Sequence, residues 1–145
     1  MKKTIFFFLI SLISFAQNSN RKYISHVWRT GQLEITTSDG VYKISPYTKN
    51  IVEVAFIPTN TTLSESYSVV VKPKTSDYNF IEDKNQIDLV SNGMKVKITL
   101  NPFNISFYNT ESQLILSEKT GFIKKDSTQT IDFNISKDEI LYGGG

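Results

Sequence analysis

The stretch Ile87-Asp88-Leu89-Val90-Ser91-Asn92-Gly93-Met94-Lys95-Val96-Lys97-Ile98-Thr99-Leu100 decides how this chain is read. Met94, Val96, Ile98 and Leu100 alternate with Lys95, Lys97 and Thr99, which is the period of a strand with one buried and one solvated face. Asn-Gly between two such runs is the strongest short-range hairpin signal. Both central residues of a type I′ turn need positive φ, so that turn is expected at Asn92-Gly93.

The same period extends in both directions. Leu33 and Ile35 alternate with Glu34 and Thr36, and Ser38-Asp39-Gly40 supplies turn chemistry before Val41–Ser45 resumes. Pro46 is expected to end that strand, because proline donates nothing to a ladder. Ile51–Ile57 is apolar on both faces and reads as a strand buried on both sides, with Pro58 as its stop. Tyr67–Val71 is a second run of this kind. Downstream, Asn101-Pro102 makes a corner, and Phe103, Ile105 and Phe107 point one way while Asn104, Ser106 and Tyr108 point the other. Leu114–Leu116 and Ile131–Ile135 complete the set. About eight short strands without an amphipathic helical stripe predict an all-β fold, an antiparallel β-sandwich.

At the other end, Lys2 and Lys3 precede the apolar stretch Ile5–Ile13, and Ser14-Phe15-Ala16 places small residues at −3 and −1. This is the anatomy of a signal peptide over 1–16, cleaved after Ala16, and it is too short for the ~20 apolar residues of a membrane span. The expected product is secreted or periplasmic, without a membrane span. Residues 17–30 read as a loose lead-in with Trp28 docking on the sandwich, and 31–145 as the sandwich domain, incomplete at its C-terminal end.

The chain has 145 residues, 16 Lys and Arg, 14 Asp and Glu, and no cysteine. Removing Lys2 and Lys3 leaves a neutral domain, which has no electrostatic footprint for nucleic acid or an anionic membrane. Without cysteine there is no disulfide frame, thiolate nucleophile or thiolate-bound metal. About 130 processed residues must be held by their core alone, which is enough chain for that.

Candidate chemistry is sparse. His26 is the sole histidine, with no Cys or second His to share a metal, and reads as a packing or surface residue against the alternative of a general base. A serine triad would need that same histidine, and no Gly-x-Ser-x-Gly turn is present. Glu82-Asp83 and Asp138-Glu139 are adjacent pairs. Neighbours on a strand point to opposite faces, so neither pair supplies the facing carboxyls of a glycosidase. Gly143-Gly144-Gly145 is not followed by the Gly-Lys-Ser/Thr of a phosphate loop. Asn60-Thr61-Thr62, Asn104-Ile105-Ser106 and Asn134-Ile135-Ser136 fit the N-glycosylation pattern, which two of them place in strands. No catalytic residue, metal or cofactor is assigned.

Three segments, in order, carry a family resemblance. Val41-Tyr42-Lys43-Ile44-Ser45-Pro46-Tyr47 followed by Asn50-Ile51-Val52-Glu53-Val54-Ala55-Phe56-Ile57-Pro58 resembles the opening strands of the N-terminal domain of glycoside hydrolase family 31, the α-glucosidase and α-xylosidase family. Leu100–Asn109 is similar to a later strand pair of that domain. Asp138-Glu139-Ile140-Leu141-Tyr142-Gly143-Gly144-Gly145 resembles the acidic-aromatic-Gly-x-Gly stretch that leads toward the catalytic barrel. Glu53 departs from the arginine common at its place. The resemblance implies a galactose-mutarotase-like sandwich that packs on a (β/α)8 barrel. That barrel, of about 250 residues, would carry an aspartate nucleophile and an aspartate acid/base and act on α-linked oligosaccharides. It also implies that Tyr142, Gly143, Gly144 and Gly145 form a loop at the active-site rim, where glycines let backbone pass close to a pocket. A flexible junction is the competing reading of the same residues. The alternative function is a stand-alone carbohydrate-binding or structural module of the cell envelope.

Overall fold

The structure is a computed structural model and describes residues 21–64, 68–73, 77–125 and 127–139. Ten strands are formed among them, and no helix. They are β1 (Tyr23–Arg29), β2 (Gln32–Thr37), β3 (Gly40–Thr48), β4 (Ile51–Pro58), β5 (Asn79–Asp83), β6 (Gln86–Val90), β7 (Lys95–Thr99), β8 (Asn104–Tyr108), β9 (Leu114–Lys125) and β10 (Thr128–Asn134). They make two antiparallel sheets, β1-β2-β3-β4 and β10-β9-β8-β7-β6-β5, in which sequential strands are always neighbours. The all-β sandwich expected from the alternation is therefore present.

The alternating residues make the core. Leu33, Ile35, Tyr42 and Ile44 from the first sheet meet Ile87, Leu89, Val96, Ile98 and Ile105 from the second, and each is at most 1% exposed. Burying one such aliphatic side chain stabilises the fold by about 1.5–3 kcal/mol. The opposite faces of β6 and β7 carry Asp88, Lys95 and Lys97, which stay partly solvated.

The central hairpin is real but its turn is not type I′. Neither Asn92 nor Gly93 has positive φ. The Ser91 hydroxyl closes the turn instead, accepting from the N–H of Gly93 at 3.1 Å and of Met94 at 3.0 Å. The same hydroxyl donates to the Lys49 carbonyl at 2.6 Å, tying the β6–β7 turn to the β3–β4 turn of the other sheet. Gly93 is needed for this approach: a Cβ there would lie 1.7 Å from Asn50 Oδ1 and 2.6 Å from the Lys49 carbonyl oxygen.

Four other expectations are corrected. The segment 17–30, expected to be a loose lead-in, holds β1 over Tyr23–Arg29, in register with β2 from Ser25↔Thr36 to Arg29↔Gln32. Pro46 does not end β3; it pairs with Val52, and an irregularity between Pro46 and Thr48 carries the strand past it. Ile51–Ile57 is not buried on both sides, because β4 is the edge of a four-stranded sheet and Ile51 is 57% exposed. Val69–Val71 belongs to no strand, and Val70 is 88% exposed; Tyr67 lies outside the described residues. One strand, β5, had no counterpart in the expected set.

The two edges of the sandwich differ. At one, β1 lies against β5: the Trp28 and Phe80 rings are 5.6 Å apart, and His26 and Phe80 6.0 Å. Trp28 thus docks as expected. At the other, Phe56 of β4 meets Phe122 of β9 with centroids 5.0 Å apart, and β10 projects one strand further.

Candidate functional site

The residues expected at an active-site rim, Tyr142, Gly143, Gly144 and Gly145, lie outside the described residues, as do the signal-peptide residues 1–16. The chemistry that the described residues do bring together lies between the sheets, near β9. Arg21, just before β1, is 6% exposed. Its Nε and Nη2 donate to the Asp39 carboxylate at 2.9 and 2.7 Å, its Nη2 also to the Phe122 carbonyl at 2.7 Å, and its Nη1 to the Tyr42 hydroxyl. The guanidinium carbon stands 4.6 Å from the Phe56 ring centre and 5.2 Å from that of Tyr42. One buried cation thereby joins the β2–β3 turn, β3, β4 and β9.

Gly121 makes room for it. Its φ of +67° is the left-handed region, and a Cβ there would sit 2.4 Å from Arg21 Nη1. The residue marks the irregularity where β9 and β10 change register, between Asp132↔Gly121 and Phe133↔Glu118.

Glu118 of β9 shares this space and is 4% exposed. One guanidinium faces two carboxyls, and the bidentate bond goes to Asp39. Burial therefore pushes the Glu118 carboxyl up to about 7, with Arg21 only partly opposing the rise. Burial would raise Asp39 too, but the hydrogen bonds and the charge of Arg21, together with a hydrogen bond from Thr37, outweigh that and hold it below the usual carboxylate range. Burial also pushes the Tyr42 phenol up.

This cluster is a clamp that ties the two sheets together. A cavity beside it, lined by Arg21, Phe103, Asn104, Glu118, Lys119, Thr120 and Gly121, measures about 10 Å³, room for about one water and no sugar ring. Sequence reasoning missed it because the partners of Arg21 lie 18, 21 and 101 residues away.

The other sequence candidates are dispersed. His26 Nδ1 shares a 2.7 Å hydrogen bond with the Tyr23 hydroxyl, and its Nε2 stands 3.5 Å from Glu82 on the facing strand, which is a packing role. Asp83 caps the β5–β6 turn through the Lys84 N–H, and Glu139 accepts from the Ser136 N–H. Asn104 is built into β8 and donates to the Glu118 carbonyl. No group of three metal-binding side chains occurs among the described residues, and these form no helix long and apolar enough to cross a membrane.

Two larger hollows lie on the surface. A polar one of about 400 Å³ is lined by Lys49, Asp77, Asn79, Val90, Ser91 and Asn92. An apolar one of about 380 Å³ runs between Tyr47, Ile51, Val52 and Val69, Val71. Neither holds a facing carboxyl pair.

Residues 41–145 match the model of the glycosyl hydrolase 31 N-terminal galactose mutarotase-like domain. Alpha-glucosidase 2 of Bacillus thermoamyloliquefaciens is 32% identical over 80 residues, which are 54% of this chain and 10% of that protein. A family 31 dextranase of Flavobacterium johnsoniae superposes with a TM-score of 0.71 at 10% identity, over 83% of this chain and 16% of that one. The cycloalternan-forming enzyme of Listeria monocytogenes gives 0.55 at 14% identity, over 68% of this chain and 9% of that one. The chain therefore spans about a tenth to a sixth of these relatives, and the two superpositions bear on fold alone. By its match over residues 41–145, the chain belongs to the family of glycosyl hydrolase 31 N-terminal galactose mutarotase-like domains.

Proposed function

We propose that this chain is the non-catalytic N-terminal domain of a secreted, retaining glycoside hydrolase that acts on α-linked glucose oligosaccharides. The family match over residues 41–145 carries the reading. The relatives' names supply its substrate class: an alpha-glucosidase, a dextranase seen with isomaltotriose, and a cycloalternan-forming enzyme seen with a pentasaccharide. In this reading the sandwich supports a catalytic barrel borne by further polypeptide, and the loop around Tyr142–Gly145 reaches the active-site rim. The N-terminal sixteen residues direct export and are removed.

The experiment is to express the polypeptide that continues past residue 145 and assay it on maltose and isomaltotriose. The reading expects hydrolysis by the long product, none by the 145-residue chain, and an exported protein beginning at Gln17. An inactive long product on every α-glucoside, or a retained N-terminus, contradicts it.

A second reading, a sugar-binding module acting alone, is favoured by one observation. Trp28 and Phe80 are 37% and 38% exposed and adjacent, a surface aromatic pair of the kind on which sugar rings stack. Titration of the 145-residue chain with isomaltotriose tests it, with loss of binding expected in Trp28→Ala.

A further inference from the structure

The second sheet has six strands to the four of the first, and β10 lies beyond the last facing pair of strands. β9 is already matched from above by β4, through Phe56 on Phe122. β10 is matched by nothing among the described residues. Its Ile131 pairs with Phe122 and its Phe133 with Glu118, so both side chains leave the sheet on the same face as residues that are packed between the sheets. Yet Ile131 is 49% exposed and Phe133 38%. Ile135, two residues on, is 51% exposed.

Above this overhang lies the outer edge of β4, which among the described residues pairs only with β3. Native edge strands are blunted by lysines, prolines or inward charges. β4 has Glu53 as its one charge and Pro58 at its last position, and between them runs Val54-Ala55-Phe56-Ile57. Val69 and Val71 line the apolar hollow together with Ile51, Val52 and Glu53, at the start of β4. A strand beside β4 would stand about 4.8 Å further out, in the layer above β10.

We infer that β4 accepts a fifth strand of its sheet, supplied by the polypeptide beyond residue 145, and that this strand covers Ile131 and Phe133. The inference rests on the reading of the chain as part of a longer hydrolase. The relatives' length favours that donor, since this chain spans 10% of the alpha-glucosidase and 16% of the dextranase. Addition to an exposed edge supplies main-chain hydrogen bonds and side-chain cover at once. Cover by a helix or by another domain's face would hide the apolar side chains and leave the β4 backbone unpaired.

The 145 residues hold no cysteine, and any in the continuing polypeptide are first replaced by serine. Ile131→Cys, and Thr110→Cys as a control in the exposed β8–β9 turn, are made in both the 145-residue chain and the continuing polypeptide. Thiol labelling is followed alongside amide exchange of the peptide spanning 51–58. The expected result is labelling at 131 slowed about tenfold or more in the long protein, slower exchange in 51–58, and no change at 110. Slow labelling with unprotected 51–58 amides assigns the cover to something other than a strand and overturns the inference, as does labelling at 131 that is unchanged. Protection in the 145-residue chain that grows with concentration assigns the edge to a second copy and overturns it too. Hydrolysis of isomaltotriose, measured on the same long protein, reports on the parent reading independently of these outcomes.

Discussion

The two sides of this sandwich solve the same problem differently. Where β1 faces β5, both edge strands bring side chains into contact: Trp28 and His26 on Phe80, Tyr23 on His26, and Glu82 across from the imidazole. Where β4 faces β9, the contact stops one strand short, and β10 carries its apolar residues into solvent. What separates them is strand count in the facing sheet, so closure is a property of topology and not of local sequence.

Mutations of graded effect sharpen this contrast. Ile98→Ala, at the fully buried centre, sets the scale and should cost about 2–5 kcal/mol in urea unfolding. A loss below about 1 kcal/mol would mean that the sheets are not packed as described.

Glu118→Gln probes the last covered position before the overhang. The folded carboxyl sits at about 7, above its ordinary value of 4.5 in the open chain. The folded state therefore binds the proton more tightly. The contribution of Glu118 is fully favourable below about pH 4.5 and is lost as pH rises through 7. The variant should melt near the parent at pH 4 and higher at pH 8, by up to ~3 kcal/mol. A pH-independent difference would place Glu118 in water and move the open side inward.

Gly93→Ala tests the join between the two sheets. An added Cβ meets the Lys49 carbonyl and Asn50, so a loss of about 1–3 kcal/mol is expected in the same unfolding assay. A neutral result would free the turns from one another.

The smallest effects carry the comparison itself. Phe80→Ala on the closed side should cost about 1–2 kcal/mol, since it removes two ring contacts along with partly buried area. Ile131→Ser on the open side should change the stability of the 145-residue chain by no more than about 0.5 kcal/mol. Equal costs would erase the distinction between the sides.

The sequence disclosed most where one face is buried and the other wet. Leu33, Ile35, Ile87, Leu89, Val96 and Ile98 alternate with polar residues, and every one proved to be core. Edge strands were harder. β5 is exposed at all five positions, so Asn79-Phe80-Ile81-Glu82-Asp83 has no burial to impose a period. β1 mixes His26 with apolar neighbours because its cover comes from the facing sheet's edge. Ile51–Ile57 misled in the other direction: β-branched residues on both faces describe a strand that expects neighbours, and β4 has one only on one side. The turn at Ser91–Met94 was foreseen in place and mistaken in kind, because a serine hydroxyl and a close contact replaced positive φ. The Arg21 clamp was invisible, since long-range partners of a charged residue leave no periodic trace.

Family membership, too, was legible in short segments: the Val41–Tyr47 and Asn50–Pro58 stretches fall within the matched residues 41–145.

The most direct measurement is to read the coding sequence immediately after the Gly145 codon. The account predicts an open frame of several hundred codons, with alternating strand and helix patterns and aspartates that a barrel could present. A stop codon at that point, with no such frame beyond it, would contradict the account and leave a sandwich whose open side must be closed by something else.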